Sequence, residues 1–336
     1  MFHANPARTG VYPDGGPAKP GTLLWKFKTA KQFEAAPAVA GGMVYFGSND
    51  GIFHAVDSKD GAEKWKIETG RNLESSPAIQ DGVVYFGCHD RFLRAVDAKT
   101  GAEKWKFKTG MDIFSSPAIS DGVIYFGGMD YLYAVDRLTG EEKWKFGCGY
   151  GPVVSSPAVA GGTVYVGTIE GMLHAIDCKT GRKRWGISLS AGIYSTPCVA
   201  DGLVFFGCHD RFFHAVDAET GAEKWKFKTA GEIWPPPAVA AGRAYFGSDD
   251  GILRAVDAKA GTELWKLKTG GSIRSAPVIS GGSVYCGSAA GKLYVLDGKT
   301  GQVKATYQAA EPIRTSPVIA DGVIYFGGVT HLFAVK

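Results

Sequence analysis

The 336-residue sequence lacks several features that would point to a function on their own. No apolar run is longer than a β-strand, which excludes a transmembrane helix of about 20 residues. The six cysteines form no C-x-x-C pair, so the sequence indicates neither a zinc site nor a redox pair. No basic run or stripe accompanies the net charge of +4, which argues against nucleic-acid binding. Nucleotide-binding loops, nucleophile elbows and metal-binding helix motifs are also missing.

The start of the chain and its cysteines bear on location. No basic and apolar segment follows Met1, so the sequence gives no indication of a signal peptide. Unpaired cysteines are typical of a reducing compartment, which favours a cytoplasmic location and leaves an exported form open. We expect no membrane association, no metal and no cofactor, and we expect a monomer.

A repeat of forty residues dominates what is present. Each copy holds a short apolar run, a turn with glycine, a V-Y-F-G run or close variant, an A-V-D run and a strand centred on tryptophan. Four short strands with turns in each forty residues are typical of a propeller blade. The sequence therefore predicts an all-β protein, an eight-bladed β-propeller of four-stranded blades. A proline opens each copy: Pro37, Pro77, Pro117, Pro157, Pro197, Pro237, Pro277 and Pro317.

The two ends of the chain predict how the ring closes. The eighth copy runs to Val335 and lacks its outer tryptophan strand, whereas an extra strand of that type, 22–29, precedes the first copy. We therefore expect residues 22–29 to complete the last blade, so that the ring has no open edge. Residues 22–336 would form a single propeller domain, and the Pro- and Gly-rich residues 1–21 a lead-in segment that crosses the ring surface.

The motif that connects the third and fourth strands carries a family resemblance. Residues 95–105 fit A-x-D-x-x-T-G-x-x-x-W, and close copies end at Trp65, Trp144, Trp185, Trp225 and Trp265. The motif resembles the tryptophan-docking motif of the pyrroloquinoline-quinone-like β-propeller repeat family. Glycine in the turn would let the indole lie flat on the backbone and join neighbouring blades. The seventh copy departs from the pattern, because Ala305 stands where tryptophan is expected.

The resemblance implies a fold rather than one function. Quinone-dependent dehydrogenases of this family hold their cofactor against adjacent cysteines and bind calcium through carboxylate and amide ligands. This sequence has no adjacent cysteine pair and no long insertions, so we do not expect quinone chemistry. Other relatives are sensors on kinases and an outer-membrane assembly scaffold.

One loop position differs from blade to blade and is the candidate for function. The residue four places before each proline is always apolar, which indicates packing between blades. The next residue lies in the loop that enters each innermost strand, and eight such loops should converge around the ring axis. Its identities, in blade order, are Glu34, Glu74, Phe114, Val154, Tyr194, Trp234, Arg274 and Arg314.

These residues predict an amphipathic pocket on one face of the ring. The arginines would hold a carboxylate or phosphate by forked hydrogen bonds, the glutamates would accept donors, and the aromatic residues would cover an apolar body. In an alternative interpretation the arginines only neutralise the glutamates in a ring of salt bridges. The ligand-binding candidates are Glu34, Phe114, Trp234, Arg274 and Arg314.

A second set of candidates follows from turns that should lie on the same face. Residues 88–91 and 208–211 both read Cys-His-Asp-Arg, which would bring His89 and His209 beside the pocket as proton-transfer groups. Duplication of a neutral turn explains the same pattern. Together with Glu74 and Tyr194 they are the candidate catalytic residues.

Two classes of function fit the sequence. The first is a binding or scaffold protein whose central pocket takes a small anionic, amphipathic molecule or a peptide. The second is a cofactor-independent enzyme, a lyase, isomerase or cyclase, that acts on an anionic and partly apolar substrate by general acid–base chemistry.

Overall fold

The chain folds into a ring of eight four-stranded antiparallel sheets in a computed structural model that describes residues 4–13, 15–17, 20–149 and 151–336. The predicted eight-bladed propeller is confirmed. In each blade the chain runs from the innermost strand outwards, and the inner strands of neighbouring blades are in contact, including β2 with β30 across the ring closure. No described segment forms a helix long and apolar enough to cross a membrane.

The first four blades use strands in sequence order. Blade 1 contains β2 (Ala38–Ala40), β3 (Met43–Gly47), β4 (Ile52–Asp57) and β5 (Glu63–Glu68), and blade 2 contains β6 (Ala78–Gln80), β7 (Val83–Gly87), β8 (Phe92–Asp97) and β9 (Glu103–Lys108). Blade 3 contains β10 (Ala118–Ser120), β11 (Val123–Gly127), β12 (Leu132–Asp136) and β13 (Glu142–Phe146), and blade 4 contains β14 (Ala158–Ala160), β15 (Thr163–Gly167), β16 (Met172–Asp177) and β17 (Lys183–Ser188).

The remaining blades follow the same plan except for the last. Blade 5 contains β18 (Cys198–Ala200), β19 (Leu203–Gly207), β20 (Phe212–Asp217) and β21 (Glu223–Lys228), and blade 6 contains β22 (Ala238–Ala240), β23 (Arg243–Gly247), β24 (Ile252–Asp257) and β25 (Glu263–Lys268). Blade 7 contains β26 (Val278–Ser280), β27 (Ser283–Gly287), β28 (Lys292–Asp297) and β29 (Val303–Gln308), and blade 8 contains β30 (Val318–Ala320), β31 (Val323–Gly327), β32 (His331–Val335) and β1 (Leu23–Lys28).

Close packing between blades explains the glycine that ends each second strand. A Cβ atom on Gly87 would lie 2.3 Å from Cγ2 of Ile113, which belongs to the loop entering the next blade. The apolar residue before each variable loop residue therefore fills the space beside a glycine of the preceding blade. All eight of these apolar residues are at most 1% exposed, as expected for packing between blades: Phe33, Leu73, Ile113, Val153, Ile193, Ile233, Ile273 and Ile313.

Tryptophan contacts tie the outer parts of the blades together. The Trp105 indole covers Gly140 of the next blade and donates a hydrogen bond from Nε1 to the Arg137 carbonyl oxygen at 3.2 Å. Gly140 has φ of +75°, and a Cβ atom there would lie 2.6 Å from the indole. Only glycine therefore meets both the backbone and the packing requirement at this turn.

The N-terminal strand closes the ring as predicted. β1 pairs antiparallel with β32, with Trp25 opposite Ala334 and Lys28 opposite His331. Backbone hydrogen bonds between Thr22 and Lys336 extend this pairing. Blade 8 is thus built from both ends of the sequence, and its sheet has the same four strands as the others.

The N-terminal strap, which we define as residues 4–12, runs along the inner edges of the blades. Its carbonyl oxygens at Pro6, Ala7, Thr9 and Gly10 accept hydrogen bonds from the central backbone N–H groups of β14, β18, β22 and β26. The strap therefore lies against the inner strands of blades 4 to 7 and does not cross the outer surface of the ring. Residues 1–3, 14, 18 and 19 of the predicted lead-in lie outside the described residues.

The construction of blade 8 also accounts for Ala305. A tryptophan on blade 7 would dock on a turn between the third and fourth strands of blade 8, but the fourth strand there is β1, so that turn does not exist. Ala305 instead belongs to a cluster with Tyr12 and Tyr307, and the Tyr285 hydroxyl donates to the Pro17 carbonyl oxygen at 3.4 Å.

Candidate functional site

The eight variable loop residues line one cavity on the ring axis. We call this cavity, of about 300 Å³, the central cup. Each blade contributes one residue to its wall, because each loop enters its innermost strand at the same height. The wall residues are Glu34, Glu74, Phe114, Val154, Tyr194, Trp234, Arg274 and Arg314.

A ring of small side chains lies two residues further along each loop and forms the floor of the cup. Five of the eight positions carry hydroxyl groups that reach the cavity, and we call them the hydroxyl layer. Each hydroxyl oxygen accepts a hydrogen bond from a backbone N–H forty residues earlier, at 2.8–3.3 Å. The layer consists of Ser76, Ser116, Ser156, Thr196 and Ser316.

The strap contacts the backbone of the floor residues. The Arg8 side chain is fully buried and donates from Nη2 to the carbonyl oxygens of Ser116 and Pro117, both at 3.0 Å, and from Nε to that of Pro157 at 3.0 Å. Arg8 has a φ of +59°, so its backbone lies in the left-handed region, and the surrounding contacts hold it there. Burial lowers the pKa of Arg8 to about 9, and the side chain keeps its positive charge at neutral pH.

The two wall arginines differ in their surroundings. Arg274 forms two hydrogen bonds with Asp249, at 3.2 and 3.3 Å, and its guanidinium lies 4.6 Å from the centre of the Trp234 ring. Arg314 is exposed, and its side chain has no ion pair or hydrogen bond within the described part of the chain. The guanidinium N–H groups of Arg314 are therefore available to hydrogen-bond a ligand.

The two glutamates have unfavourable surroundings for their charge. Burial raises the pKa of Glu34, and the neighbouring Glu74 raises it further, against the attraction of Arg314 and Arg274. Burial also raises the pKa of Glu74. Neither glutamate forms an ion pair with a wall arginine among the described residues, and Oε1 of Glu74 lies 3.8 Å from Nε2 of His89. The ring of arginine–glutamate salt bridges, the alternative interpretation, is therefore not what the described residues form.

An aromatic cluster forms the opposite wall. His209 stacks on Tyr194 with ring centres 4.3 Å apart and contacts Trp234 at 4.1 Å. On the other side, His89 packs against Phe114 at 4.1 Å. Both histidine rings are partly buried against aromatic residues of the wall, and neither lines the cup itself.

The protonation of these histidines follows from their burial. Burial lowers the pKa of both His89 and His209, so both are neutral at physiological pH. Their Nε2 atoms and the Nε1 atom of Trp234 are buried with no hydrogen-bond partner among the described residues. Of these three atoms only that of Trp234 belongs to a residue lining the cup.

One group of possible metal ligands lies elsewhere. Cys208, Asp210 and His214 bring ligand atoms within 4.8 Å of one another in a turn of blade 5. The equivalent positions in blade 6 hold Asp250 and Arg254, which form an ion pair at 2.7 Å. Nε2 of His214 likewise lies 3.1 Å from the Asp210 carboxylate, so the group makes the side-chain contact that the Asp250–Arg254 pair makes in blade 6.

The sequence pattern identified the wall and missed the floor. The sequence does contain a pattern for the hydroxyl layer, because serine or threonine directly precedes the proline that opens the repeat in five of the eight copies. The sequence does not predict the position of Arg8 in the same way, because Arg8 lies outside the repeats and its contacts depend on where the strap enters the ring. The histidine–aromatic stacks depend on side-chain directions that repeat spacing does not contain.

The class of the protein follows from these features: it is an eight-bladed propeller of pyrroloquinoline-quinone-like repeats. A family model described as outer membrane protein assembly factor BamB matches residues 17–130, 128–232 and 209–334. The chain belongs to this family. No curated protein sequence matches it.

Several solved structures share the fold at low sequence identity. BamB from Moraxella catarrhalis has 20% identity and a TM-score of 0.78, covering 94% of this chain and 97% of that protein. The computationally designed Ika8 protein has 20% identity and a TM-score of 0.83, with 94% and 99% covered. Quinohemoprotein alcohol dehydrogenase from Comamonas testosteroni has 17% identity and a TM-score of 0.85, with 100% and 80% covered. These similarities establish the fold alone.

The residues of the cup do not fit a calcium-assisted quinone cofactor. All six cysteines are free, and no two of them are neighbours in the sequence. Among the described residues that line the cup, Glu34 and Glu74 are the only carboxylates and no amide side chain accompanies them, so the lining lacks the carboxylate-and-amide ligand set of such a calcium site. We therefore derive no step through such a group.

Proposed function

We propose that the protein binds a small amphipathic anion, or the anionic end of a peptide, in the central cup. The observation that carries the proposal is that all eight residues at the variable loop position, one per blade, line a single cavity. A cavity of about 300 Å³ is at the small end of the range for ligand pockets, which favours a small molecule or a chain end.

The chemistry of the wall supports this class of ligand. Arg314 has unused donors, and Trp234 contributes an aromatic ring to the wall. Glu34 and Glu74 on the adjoining arc can accept donors from the ligand. A ligand with an anionic group, an apolar body and a hydrogen-bond donor would match all three kinds of surface.

Arg314 and Trp234 provide the direct test. Arg314→Ala should weaken binding of an aromatic carboxylate by one to two powers of ten, because it removes a charge-assisted hydrogen bond of about 1.5–3 kcal/mol. Trp234→Ala should weaken binding without changing its salt dependence, because it removes apolar contact. Calorimetric titration with benzoate and related aromatic carboxylates measures both effects.

The matched control is Arg182→Ala, which changes the net charge equally in an exposed turn between the third and fourth strands of blade 4. It should leave affinity unchanged. Equal loss of affinity in Arg182→Ala and Arg314→Ala would show a long-range charge effect instead of a site, and would contradict the proposal.

A second candidate, a cofactor-independent lyase, isomerase or cyclase, is favoured by two observations at the cup. Glu74 has a raised pKa at the cup, and the Tyr194 hydroxyl makes no hydrogen bond with any described residue, so both are suited to proton transfer. For a substrate that shows turnover, Glu74→Gln or Tyr194→Phe should abolish the reaction while binding stays close to that of the wild type. Retention of full turnover in both variants would exclude this chemistry.

The family description suggests a scaffold that binds a protein segment. Such a segment would use the same cup, entering with a charged chain end, and the Arg314 and Trp234 variants test it equally when short peptides replace benzoate.

A further inference from the structure

The hydroxyl layer has hydrogen-bond donors that the protein does not use. Each of the five oxygens accepts a backbone N–H from the preceding blade, and a hydroxyl that accepts in this way still has its own hydrogen to donate. No described residue accepts a hydrogen bond from any of them. All five residues are less than a tenth exposed, at 3–8%, and all five line the cup.

The adjacent residues in sequence show the contrast. Ser75, Ser115 and Ser155 are one position earlier and are also buried, but their side chains do not line the cup. They accept the N–H groups of the glycines that end β7, β11 and β15, at 2.6–3.1 Å. In blades 2 to 4 two hydroxyls per blade thus stabilise the backbone in the same way, and only the later one also lines the cup.

A buried positive charge lies below this floor. The guanidinium of Arg8 donates to the carbonyl oxygen of Ser116, whose side chain belongs to the hydroxyl layer. A cation held in a low-dielectric interior attracts an anion more strongly than an exposed one does. The wall above the floor carries the two glutamates together with the two arginines, so that its charges offset one another.

We infer that the floor of the cup is an oxyanion site, and that a ligand enters with its carboxylate or phosphate group first. The inference rests on the proposed function and assigns the orientation of its ligand. A charged oxygen can be buried only where several donors meet it, and the hydroxyl layer provides them. The apolar body of the ligand then lies beside Phe114, Tyr194 and Trp234, and a donor at its far end reaches Glu34 or Glu74.

The experiment compares two double variants. Ser116→Ala/Ser156→Ala removes two floor hydroxyls, whereas Ser115→Ala/Ser155→Ala removes two buried hydroxyls that do not reach the cup. Both variants lose two backbone-accepting oxygens, so their folding costs are matched. Alanine already occupies the floor position in blades 1 and 7, as Ala36 and Ala276. Thermal unfolding of each variant verifies that it is folded.

Three probes separate the chemistry of the ligand. Phenyl phosphate and benzoate carry the two kinds of oxyanion on one ring, and benzyl alcohol is neutral. Calorimetry and ligand-observed NMR should show affinity for one or both oxyanions falling about tenfold or more in the floor variant and staying unchanged in the control variant. Binding of benzyl alcohol should be the same in both variants.

The outcomes distinguish the inference from the proposed function. If the floor variant binds both oxyanions like the wild type while Arg314→Ala weakens them, the anion lies at the wall, and only the floor site is overturned. If the control variant loses as much affinity as the floor variant, the effect is structural and the floor site is again overturned. If the wild type binds neither oxyanion, the proposed function fails together with the inference.

Discussion

In blade 8 the side chain of Glu311 fixes the turn between the second and third strands. In other blades an aspartate within that turn has this role. Its carboxylate accepts the backbone N–H groups of Val329 and Thr330 and contacts His331. Burial of Glu311 opposes its charge, but the hydrogen bonds from Thr330 and His331 outweigh it and lower its pKa to about 2. The turn that receives β1 therefore depends on an ionised carboxylate.

Glu311→Gln should lower the free energy of unfolding by about 1–3 kcal/mol at pH 7, since each unit of pKa shift corresponds to about 1.4 kcal/mol. A depressed folded-state pKa stabilises the fold above the ordinary glutamate pKa of about 4.3, and this contribution disappears as the pH falls towards 2. Urea unfolding between pH 3 and 7 measures the difference.

Glu68→Gln is the control for this experiment, because Glu68 is exposed and pairs only with Lys66 at the surface. It should have little effect at any pH. A constant difference between Glu311→Gln and the wild type across the pH range would show that ionisation is not what stabilises the turn.

At the scale of residues, the repeat pattern predicted which side chains share a surface but not how they interact. Comparison of blades placed Arg274 and Arg314 on one arc, and both line the cup. It did not predict that Asp249 would bind Arg274 while Arg314 has no side-chain partner among the described residues, because Asp249 comes from a different turn. Such pairing depends on side-chain reach across blades, which spacing along the chain does not define.

At the scale of elements, two turns show that glycine is required for different reasons: one for backbone conformation, the other for close packing as well. Gly140 and Gly122 have nearly the same φ, +75° and +74°, but a Cβ atom on Gly140 would lie 2.6 Å from Trp105, whereas one on Gly122 would meet nothing within 4 Å. Gly122 is needed for its backbone conformation alone, and Gly140 for its conformation and for the docked indole.

Gly140→Ala should therefore destabilise the protein more than Gly122→Ala. Both substitutions incur the left-handed penalty of about 1–2 kcal/mol, and Gly140→Ala adds displacement of the Trp105 ring, which brings the expected total to about 3 kcal/mol or more. Chemical denaturation of the two variants measures the difference. Equal losses would mean that the indole adapts without cost.

The elements were predicted well because period-two alternation and turn residues are local. Strand type and blade number follow from the sequence, and so does the outer strand missing from blade 8. Ala305 shows the limit of that method, because the sequence gives its departure from the motif but not the reason for it. The structure shows that its partner turn is missing from blade 8, which is a property of the closed ring and not of the seventh repeat.

At the scale of the whole molecule, the N-terminal region has two separable contributions. β1 supplies the outer strand of blade 8, and the strap binds the inner edges of blades 4 to 7. Removing residues 1–12 should leave the ring closed, with a modest loss of stability from the strap contacts. Removing residues 1–30 should cost several kcal/mol and cause aggregation, because β32 becomes an open edge.

Thermal unfolding and size-exclusion chromatography of the two truncated chains test this order. Equal melting temperatures for the full chain and the chain without residues 1–30 would contradict the role of β1 in closure. Equal losses in both truncations would assign the stability to the strap instead.

The pairing of β1 with β32 also has a consequence for the folding route. Blades 1 to 7 each form from one continuous stretch of chain, whereas the bonds that complete blade 8 join residues as far apart as Thr29 and Thr330, 301 positions from each other. Contacts between distant segments are entropically costly to form, so ring closure should be the slowest step. Before closure, β32 has an unpaired edge. At high protein concentration the β1 strand of another molecule competes for this edge, and the strand exchange yields domain-swapped dimers.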